Sequence, residues 1–180
     1  MPFRKPKTFG RDELMDYALK LLGGRGFSIG DLKQKLRSRA TDPADIDGVM
    51  STLKQAGYLN DKTYADSFAA SRRDNQLLGQ QRVLRDLRTK HVSSTIAEIA
   101  VKQAFDGKDE SALIDDYLKR KYRSKNLSEF LKEEKNLASA YRRLRTAGYS
   151  SSNSIRVLKR YAAEAEQLDG MEESEERFEE

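Results

Sequence analysis

The chain has 180 residues and a formal net charge of +5, with 35% charged residues, 37% hydrophobic residues and no cysteine. The lack of cysteine excludes disulfides, thiolate chemistry and cysteine-ligated metals, as is usual for a protein of the reducing cytoplasm. No apolar run reaches the roughly 20 residues that span a bilayer, and the N-terminus lacks the apolar segment of a signal peptide. We therefore expect a cytoplasmic protein that makes no contact with a membrane.

A flexible basic arm is predicted for residues 1–10, and short amphipathic helices follow it without any competing strand pattern. The first helix is predicted over residues 12–23. Residues suited to a helix N-terminus open the next three helices, at Ser28, at Asp42-Pro43 and at Asn60-Asp61.

Further amphipathic segments complete the body of the chain. Their predicted positions are residues 79–90, a segment capped by Ser93 or Ser94 that buries Ile99, a segment around Tyr117, a segment from about Ser128 to Leu144, and a segment capped by Ser151 or Ser152. Helices this short are marginal in isolation, so packing against neighbouring helices must stabilise them.

One helix-ending pattern recurs: a leucine, three residues, then a glycine and an aromatic residue. It predicts a Schellman turn, in which the glycine takes the left-handed conformation and the next residue folds back onto the leucine. A degenerate copy has histidine in place of glycine, and histidine is one of the residues that tolerate this conformation. The predicted left-handed positions are Gly26, Gly57, His91 and Gly148.

Repetition of one helix-ending device predicts repeated helical units. The sequence therefore predicts an all-α fold, an elongated tandem array of three three-helix repeats with a disordered acidic C-terminal tail. The predicted segments are the basic arm at 1–10, repeats at 11–61, 62–107 and 108–163, and the acidic tail at 164–180.

Charge is segregated along the chain. Residues 164–180 contain nine acidic residues and one arginine, so this segment carries −8 and residues 1–163 carry +13. A body this basic predicts a polyanionic partner or an acidic protein surface. Two roles for the tail stay open: it keeps the protein soluble, or it competes with the anionic partner for the basic surface.

Reactive groups do not converge in the sequence. The single histidine is accounted for by a helix end, and the glycine-rich run 23–26 follows a helix and lacks the Walker lysine. Adjacent carboxylates such as Asp115 and Asp116 point apart around a helix, which does not suit an acid–base pair. We expect no enzymatic activity, no catalytic residues, no metal site and no cofactor.

Basic side chains are the remaining functional candidates. Any one of them is explained by a solvated, partly salt-bridged helix surface, so the prediction depends on their number. The guanidinium fork suits phosphate and carboxylate, and backbone contacts without base reading are expected because no stacking platform is evident. The candidate binding residues are Arg72, Arg73, Arg82, Arg85, Arg88, Lys90, Lys119, Arg120, Lys121, Arg142, Arg143 and Arg145.

Four runs together resemble one family. They are Leu21–Ser28, Leu53–Asp61 followed by Tyr64-Ala65, Gly79-x-x-Arg82 followed by Val92-Ser93, and Leu144–Ser150 followed by Ile155. Their order and spacing, over about residues 14–162, resemble the RecX family, regulators of the RecA recombinase. Lys90-His91 stands where a lysine-glycine pair is usual, and residues 106–135 match weakly.

The resemblance implies a non-catalytic monomer that lies in the groove of a RecA filament on single-stranded DNA. Such a protein inhibits ATP hydrolysis, strand exchange and coprotease activity, and so regulates recombinational DNA repair and the SOS response. The twelve basic residues would then contact the filament. Two alternatives remain open: a protein that binds single- or double-stranded DNA without sequence preference, and a helical-repeat scaffold for a protein partner alone.

Overall fold

The computed structural model describes residues 7–162, and within that range every regular element is a helix. The predicted all-α fold class is therefore confirmed for this part of the chain. The first residues of the predicted arm and the acidic tail lie outside the described residues. The helices are α1 (Arg11–Gly24), α2 (Ile29–Arg37), α3 (Ala44–Gln55), α4 (Asp61–Gln76), α5 (Gln80–Thr89), α6 (Ser94–Phe105), α7 (Glu110–Lys121), α8 (Leu127–Phe130), α9 (Glu134–Thr146) and α10 (Ser151–Leu158).

The predicted N-terminal caps of several helices are present. The Ser28 hydroxyl accepts a hydrogen bond from the backbone N–H of Asp31 at 3.0 Å. The Asn60 side chain accepts from two N–H groups in the first turn of α4, at 3.0 and 3.1 Å. The Ser93 hydroxyl lies 3.4 Å from the N–H of Ile96. Each cap satisfies donors that the helix itself leaves unpaired.

Three local predictions are wrong. The helix predicted from Ser128 to Leu144 is two helices, α8 and α9, because the Asn136 amide donates to the Phe130 carbonyl at 3.0 Å and satisfies the end of α8. The predicted cap of α10 by Ser151 or Ser152 is absent: the N-cap residue is Ser150, and its side chain makes no capping hydrogen bond. The backbone N–H of Ser150 donates instead to the Glu110 carboxylate at 3.0 Å. Ile99, which the sequence predicts to be buried, is 47% exposed.

Left-handed turns end three helices where the sequence predicts them. The φ angles are +78° at Gly57, +57° at His91 and +91° at Gly148. In each turn the residue after the left-handed one donates to the leucine carbonyl five positions earlier, at 3.0 to 3.2 Å. These are the hydrogen bonds of a Schellman motif, so the predicted device is confirmed at these three positions.

The fourth predicted turn is wrong, and two left-handed positions, Leu77 and Gly107, were not predicted. Helix α1 ends at Gly24, and the chain continues through Arg25 in an extended conformation, with φ −167° and ψ 163°. Gly26 is not left-handed. The extended exit buries the ring of Phe27, over which the Arg25 guanidinium lies at 4.4 Å. Leu77 is left-handed at the end of α4, with φ +52°, although no glycine is present there.

The chain divides into two compact units, and the division falls within α4, α5 and α6. Unit 1 comprises Met1–Phe68 and Asp86–Val101, and unit 2 comprises Ala69–Arg85 and Lys102–Glu180. The core of unit 1 includes Leu14, Leu32, Leu36, Val49 and Leu53, and the core of unit 2 includes Ile114, Leu118, Leu144, Tyr149 and Leu158. The boundaries of the three predicted repeats stay a prediction.

In unit 1 the turn at the end of α5 packs against the start of α2; we call this contact the His91 junction. The Ser28 hydroxyl donates to the Lys90 carbonyl, and the Lys90 ammonium lies 3.3 Å from the Asp31 carboxylate. The His91 ring nitrogen Nε2 lies 3.0 Å from the Gln34 amide oxygen. Side chains therefore make most of the polar contacts in this junction.

In unit 2 the turn at the end of α9 packs against the start of α5; we call this contact the Gly148 junction. The N–H of Gly79 donates to the Ala147 carbonyl at 2.8 Å, and the N–H of Gln81 donates to the Gly148 carbonyl at 3.2 Å. A methyl group on Gly79 would overlap the Gly148 carbonyl, and one on Gly148 would overlap the backbone of Arg82. The contact in the Gly148 junction is therefore made largely by the backbones of the two segments.

Candidate nucleic-acid interface

The predicted basic residues are unequally divided between the units. Arg88 and Lys90 belong to unit 1, and the other ten belong to unit 2. Arg88 lies 3.2 Å from Glu98, and both side chains are more than half exposed, so this pair contributes little to stability. Lys90 is part of the His91 junction, where it is 30% exposed. Its carbonyl and its ammonium group both have intramolecular partners there.

Several candidate arginines of unit 2 bind the carbonyls where helices end. Arg73 donates to the carbonyl of Ala104, Arg82 donates to that of Thr146 at 3.3 Å, and Arg145 donates to that of Tyr149 at 2.7 Å. The carbonyls of Ala104 and Thr146 lie in the last turns of α6 and α9 and lack intrahelical partners, and a guanidinium satisfies them while opposing the negative end of the helix dipole. The Tyr149 carbonyl lies in the link between α9 and α10, so Arg145 fastens this link to the end of α9. The first role of these side chains is thus to stabilise helix ends.

Arg73 is held by a second interaction. Its guanidinium donates two hydrogen bonds to Asp74, at 2.6 and 2.8 Å, and only 15% of its side chain is exposed. The hydrogen bond from Arg73 lowers the pKa of Asp74, so this carboxylate stays charged at neutral pH. The Arg73–Asp74 pair therefore adds little net positive charge to the surface of unit 2.

The ends of α4 and α7 enclose an open cleft of about 570 Å³ in unit 2, which we call the Tyr117 cleft. Arg120 in its wall donates to the Asn75 carbonyl at 2.7 Å, and Arg72 donates to the amide oxygen of the lining residue Gln76. The residues that line the cleft are Asn75, Gln76, Leu78, Tyr117, Arg120 and Lys121. Two predicted candidates, Arg120 and Lys121, thus line the cleft, and a third, Arg72, contacts the lining residue Gln76.

The Tyr117 ring is positioned by packing. It lies edge-on to the ring of Tyr149, with ring centroids 5.8 Å apart and an interplanar angle of 71°. Burial raises the pKa of the Tyr117 phenol, and the positive charge of Arg143 opposes that shift. The same arginine acts on Tyr122. The cleft therefore combines a neutral aromatic ring with a surrounding positive potential.

The remaining candidates lie on the helix surfaces of unit 2. Lys119 is paired with Asp115 at 2.5 Å, one helical turn earlier. Burial alone would raise the pKa of Asp115, but hydrogen bonds from Lys119 and Tyr161 outweigh it and lower the pKa. The side chains of Arg85, Arg142 and Arg143 are exposed.

Sequence reasoning did not identify the neutral part of the cleft. The sequence predicts only an amphipathic segment around Tyr117, and Asn75 and Gln76 are not among the twelve predicted candidates. The spacing of Tyr117, Arg120 and Lys121 is a usable signal, since residues three and four apart share one helix face. Within residues 7–162, no group of three or more histidine, aspartate or glutamate side chains could hold a metal ion, and none of the helices is long and apolar enough to cross a bilayer.

Comparisons with known proteins place this chain in a family. A family model described as the second three-helix domain of RecX matches residues 60–101. The regulatory protein RecX of Streptomyces coelicolor is 30% identical over 141 residues, which cover 78% of this chain and 73% of that protein. That of Deinococcus radiodurans is 29% identical over 121 residues, 66% of this chain and 57% of the relative.

Solved structures share the fold. A crystal structure of regulatory protein RecX aligns with a TM-score of 0.63 at 21% identity, over 82% of this chain and 70% of the other. The crystal structure of RecX from Lactobacillus salivarius aligns with a TM-score of 0.59 at 18% identity, over 84% of this chain and 96% of the other. With a relative at 30% identity across more than two thirds of both chains, the protein belongs to the RecX family of regulatory proteins.

Proposed function

We propose that this chain binds the RecA nucleoprotein filament and inhibits its ATPase, strand-exchange and coprotease activities. It thereby regulates recombinational DNA repair and the SOS response. The observation that carries this proposal is membership of the RecX family, and the charge of +13 on residues 1–163 supports it. The protein acts as a cytoplasmic monomer and needs no catalytic group, because its effect follows from binding alone.

The contacts with the filament are made by exposed basic side chains. Arg142 and Arg143 are exposed on α9, and Lys121 is exposed at the end of α7. Arg82, which donates to the Thr146 carbonyl, and Arg145, which donates to the Tyr149 carbonyl, also belong to this basic surface, and their hydrogen bonds position the end of α9. Because the binding surface is basic, affinity is expected to fall steeply as salt rises.

The test is the single-strand-dependent ATPase of RecA, titrated with the full chain. We expect inhibition that the double variant Arg142→Ala/Arg143→Ala weakens by about tenfold, corresponding to roughly 1.4 kcal/mol of lost binding. The matched control is Lys54→Ala/Lys62→Ala, which removes the same charge from exposed positions of unit 1. No inhibition by the unmodified chain, at any ratio to RecA, would contradict the proposal.

Direct binding of DNA without RecA is the second candidate function. The concentration of ten of the twelve candidate residues in unit 2 favours it. Capture of the protein on bare DNA and on RecA filaments, at two salt concentrations, separates the two functions. Tighter capture on the filament supports RecA regulation, and equal or tighter capture on bare DNA supports the second candidate. A scaffold for a protein partner alone would show no detectable capture on bare DNA, and its binding to that partner would change little with salt.

Removal of residues 164–180 tests the role of the acidic segment. The truncation removes a charge of −8, so a polyanion should meet a more positive protein. We expect binding at low salt to strengthen by about fivefold, roughly 1 kcal/mol, with the gain lost once salt screens the charges. Fluorescence anisotropy of a labelled oligonucleotide measures both values. Unchanged affinity at low salt would leave the segment as a solubility device.

A further inference from the structure

We propose that the Tyr117 cleft binds one nucleotide of single-stranded DNA, with the base against Tyr117 and Leu78 and the phosphate beside Lys121 and Arg120. This inference deepens the proposed function by assigning its DNA contact to a site. It also stands apart from RecA, because the site can be tested with bare oligonucleotides.

The size and the apolar face of the cleft suit a nucleobase. A volume of about 570 Å³ lies within the range of small-molecule sites, roughly 300–1,000 Å³. The edge-on contact with Tyr149 holds the Tyr117 ring in one orientation, so a base would stack on a ring that is already ordered. Because burial raises its pKa, the phenol stays neutral beside a phosphate.

The polar wall of the cleft is built to hydrogen-bond without selecting a sequence. The amide oxygen of Gln76 accepts from Arg72, which leaves the amide N–H groups of Gln76 as donors. The amide nitrogen of Asn75 donates to the Ser71 hydroxyl at 3.2 Å, and its backbone carbonyl accepts from Arg120. These amide groups can hydrogen-bond to the edges of more than one kind of base, so little sequence preference is expected.

The basic side chains at the rim of the cleft, Arg120 and Lys121, provide the donors for a phosphate. Arg120 is held by the Asn75 carbonyl at 2.7 Å, and its remaining N–H groups can donate to phosphate oxygens. Lys121 is exposed beside it, and Arg143 adds positive potential at Tyr117. The nearby carboxylate of Asp115 is paired with Lys119, which limits its repulsion of a phosphate.

An acidic peptide is the competing ligand for these cations. It would use Arg120 and Lys121 but would leave the aromatic face of Tyr117 and the amide group of Gln76 without a matching partner. A nucleotide engages the aromatic ring, the amides and the cations together. The lining residues therefore favour single-stranded DNA over an acidic peptide.

Photocrosslinking tests the site directly. The full chain is bound to an oligothymidylate that contains 5-iodouracil, irradiated, digested and analysed by mass spectrometry. We expect the principal crosslink in the peptide that contains Tyr117. Tyr58, which is 58% exposed in unit 1, reports non-specific contact. Crosslinks that fall mainly on Tyr58, or nowhere near α7, would overturn the inference.

Variants separate base stacking from charge. Tyr117→Leu should weaken oligonucleotide binding at least about fivefold, since stacking of one base on an aromatic ring has about that effect or more, whereas Tyr117→Phe keeps the ring and should bind normally. Lys121→Gln should lower the slope of log affinity against log salt by about one. Tyr58→Leu is the control, and thermal unfolding checks that each variant is folded. If Tyr117→Leu does not fold, Lys121→Gln and the crosslink still decide the question.

Failure of the site and failure of the RecA function give different results. If the unmodified chain inhibits the RecA ATPase and Tyr117→Leu binds oligonucleotide normally, only the site is wrong. If the chain crosslinks at Tyr117 and leaves the ATPase unchanged, only the RecA function is wrong. If an acidic peptide displaces the oligonucleotide and binds the cleft more tightly, the cleft is a peptide site and the inference fails.

Discussion

The His91 junction and the Gly148 junction use the same device with different chemistry. In each, a Schellman turn at the end of one helix packs against the first turn of an earlier helix. The His91 junction joins its parts through the Ser28 hydroxyl and the Lys90–Asp31 pair. The Gly148 junction uses two backbone hydrogen bonds, of 2.8 and 3.2 Å, and very close backbone contact.

The difference explains which positions of each junction require glycine. Where backbones touch, a Cβ atom has no space, so both Gly79 and Gly148 are constrained by their neighbours. Where side chains make the contact, the left-handed position has space for a Cβ atom, and His91 occupies it. One glycine is still required there, because a methyl group on Gly30 would overlap the Cβ atom of His91.

Gly148→Ala is expected to have the largest effect. Alanine would adopt φ +91° at a cost of about 1–2 kcal/mol and would also overlap the Arg82 backbone, which adds about 1–3 kcal/mol. We expect the free energy of unfolding, measured in urea, to fall by about 3 kcal/mol. Gly57→Ala is the matched control: its φ is +78°, but its neighbourhood is open, so a loss of only about 1 kcal/mol is expected. Equal losses in the two variants would refute the role of backbone contact.

Gly30→Ala tests the His91 junction and should cost less. The new methyl group would meet the Cβ atom and the carbonyl of His91, and overpacking of this kind costs about 1–3 kcal/mol. Alanine recovers about 0.5–1 kcal/mol because Gly30 lies inside α2. We expect a net loss of about 1–2 kcal/mol. Hydrogen exchange at the Val92 N–H, which donates to Leu87 at 3.2 Å, should accelerate; unchanged exchange would place the strain elsewhere.

Alkaline pH should weaken the Gly148 junction through the phenol of Tyr149. Burial raises the pKa of Tyr149, whose hydroxyl donates to the Leu77 carbonyl at 2.7 Å. The corresponding residue in the turn of the His91 junction is Val92, which has no ionisable side chain. A folded pKa above the unfolded value of about 10 gives stability that is present below pH 10 and lost as pH rises. At about pH 11 the loss is roughly 1.4 kcal/mol. Urea unfolding at about pH 9 and about pH 11 should show this slope in the native chain and a smaller one in Tyr149→Phe.

Local chemistry explains what the sequence predicted correctly. Ser28 and Asn60 cap helices because a side-chain oxygen needs only the next turn as its partner. The left-handed histidine was predicted from register alone. Gly26 fails as a prediction because the choice between a left-handed and an extended exit depends on where Phe27 is buried, which is a property of the unit 1 core.

The candidate site was only partly predictable. The basic residues are visible in the sequence, but the hydrogen bond from Arg120 to Asn75 joins residues 45 positions apart. No local pattern encodes that contact, nor the left-handed turn at Leu77 that leads out of α4. The sequence therefore predicted the cations and missed the Tyr117 cleft, since the cleft exists only when α4 and α7 are packed.

His91→Gly is expected to change stability least, and its sign sharpens the comparison. Glycine would relieve the left-handed strain of His91, about 1–2 kcal/mol for an ordinary residue and less for histidine. Against this, the unfolded chain gains about 0.5–1 kcal/mol of conformational freedom, and the contact with Gln34 at 3.0 Å is lost. We expect a net change within about 0.5 kcal/mol, measured by urea unfolding with Gln34→Ala as the companion variant. A large loss that Gln34→Ala reproduces would mean that the side-chain contact, and not the turn, holds this junction together.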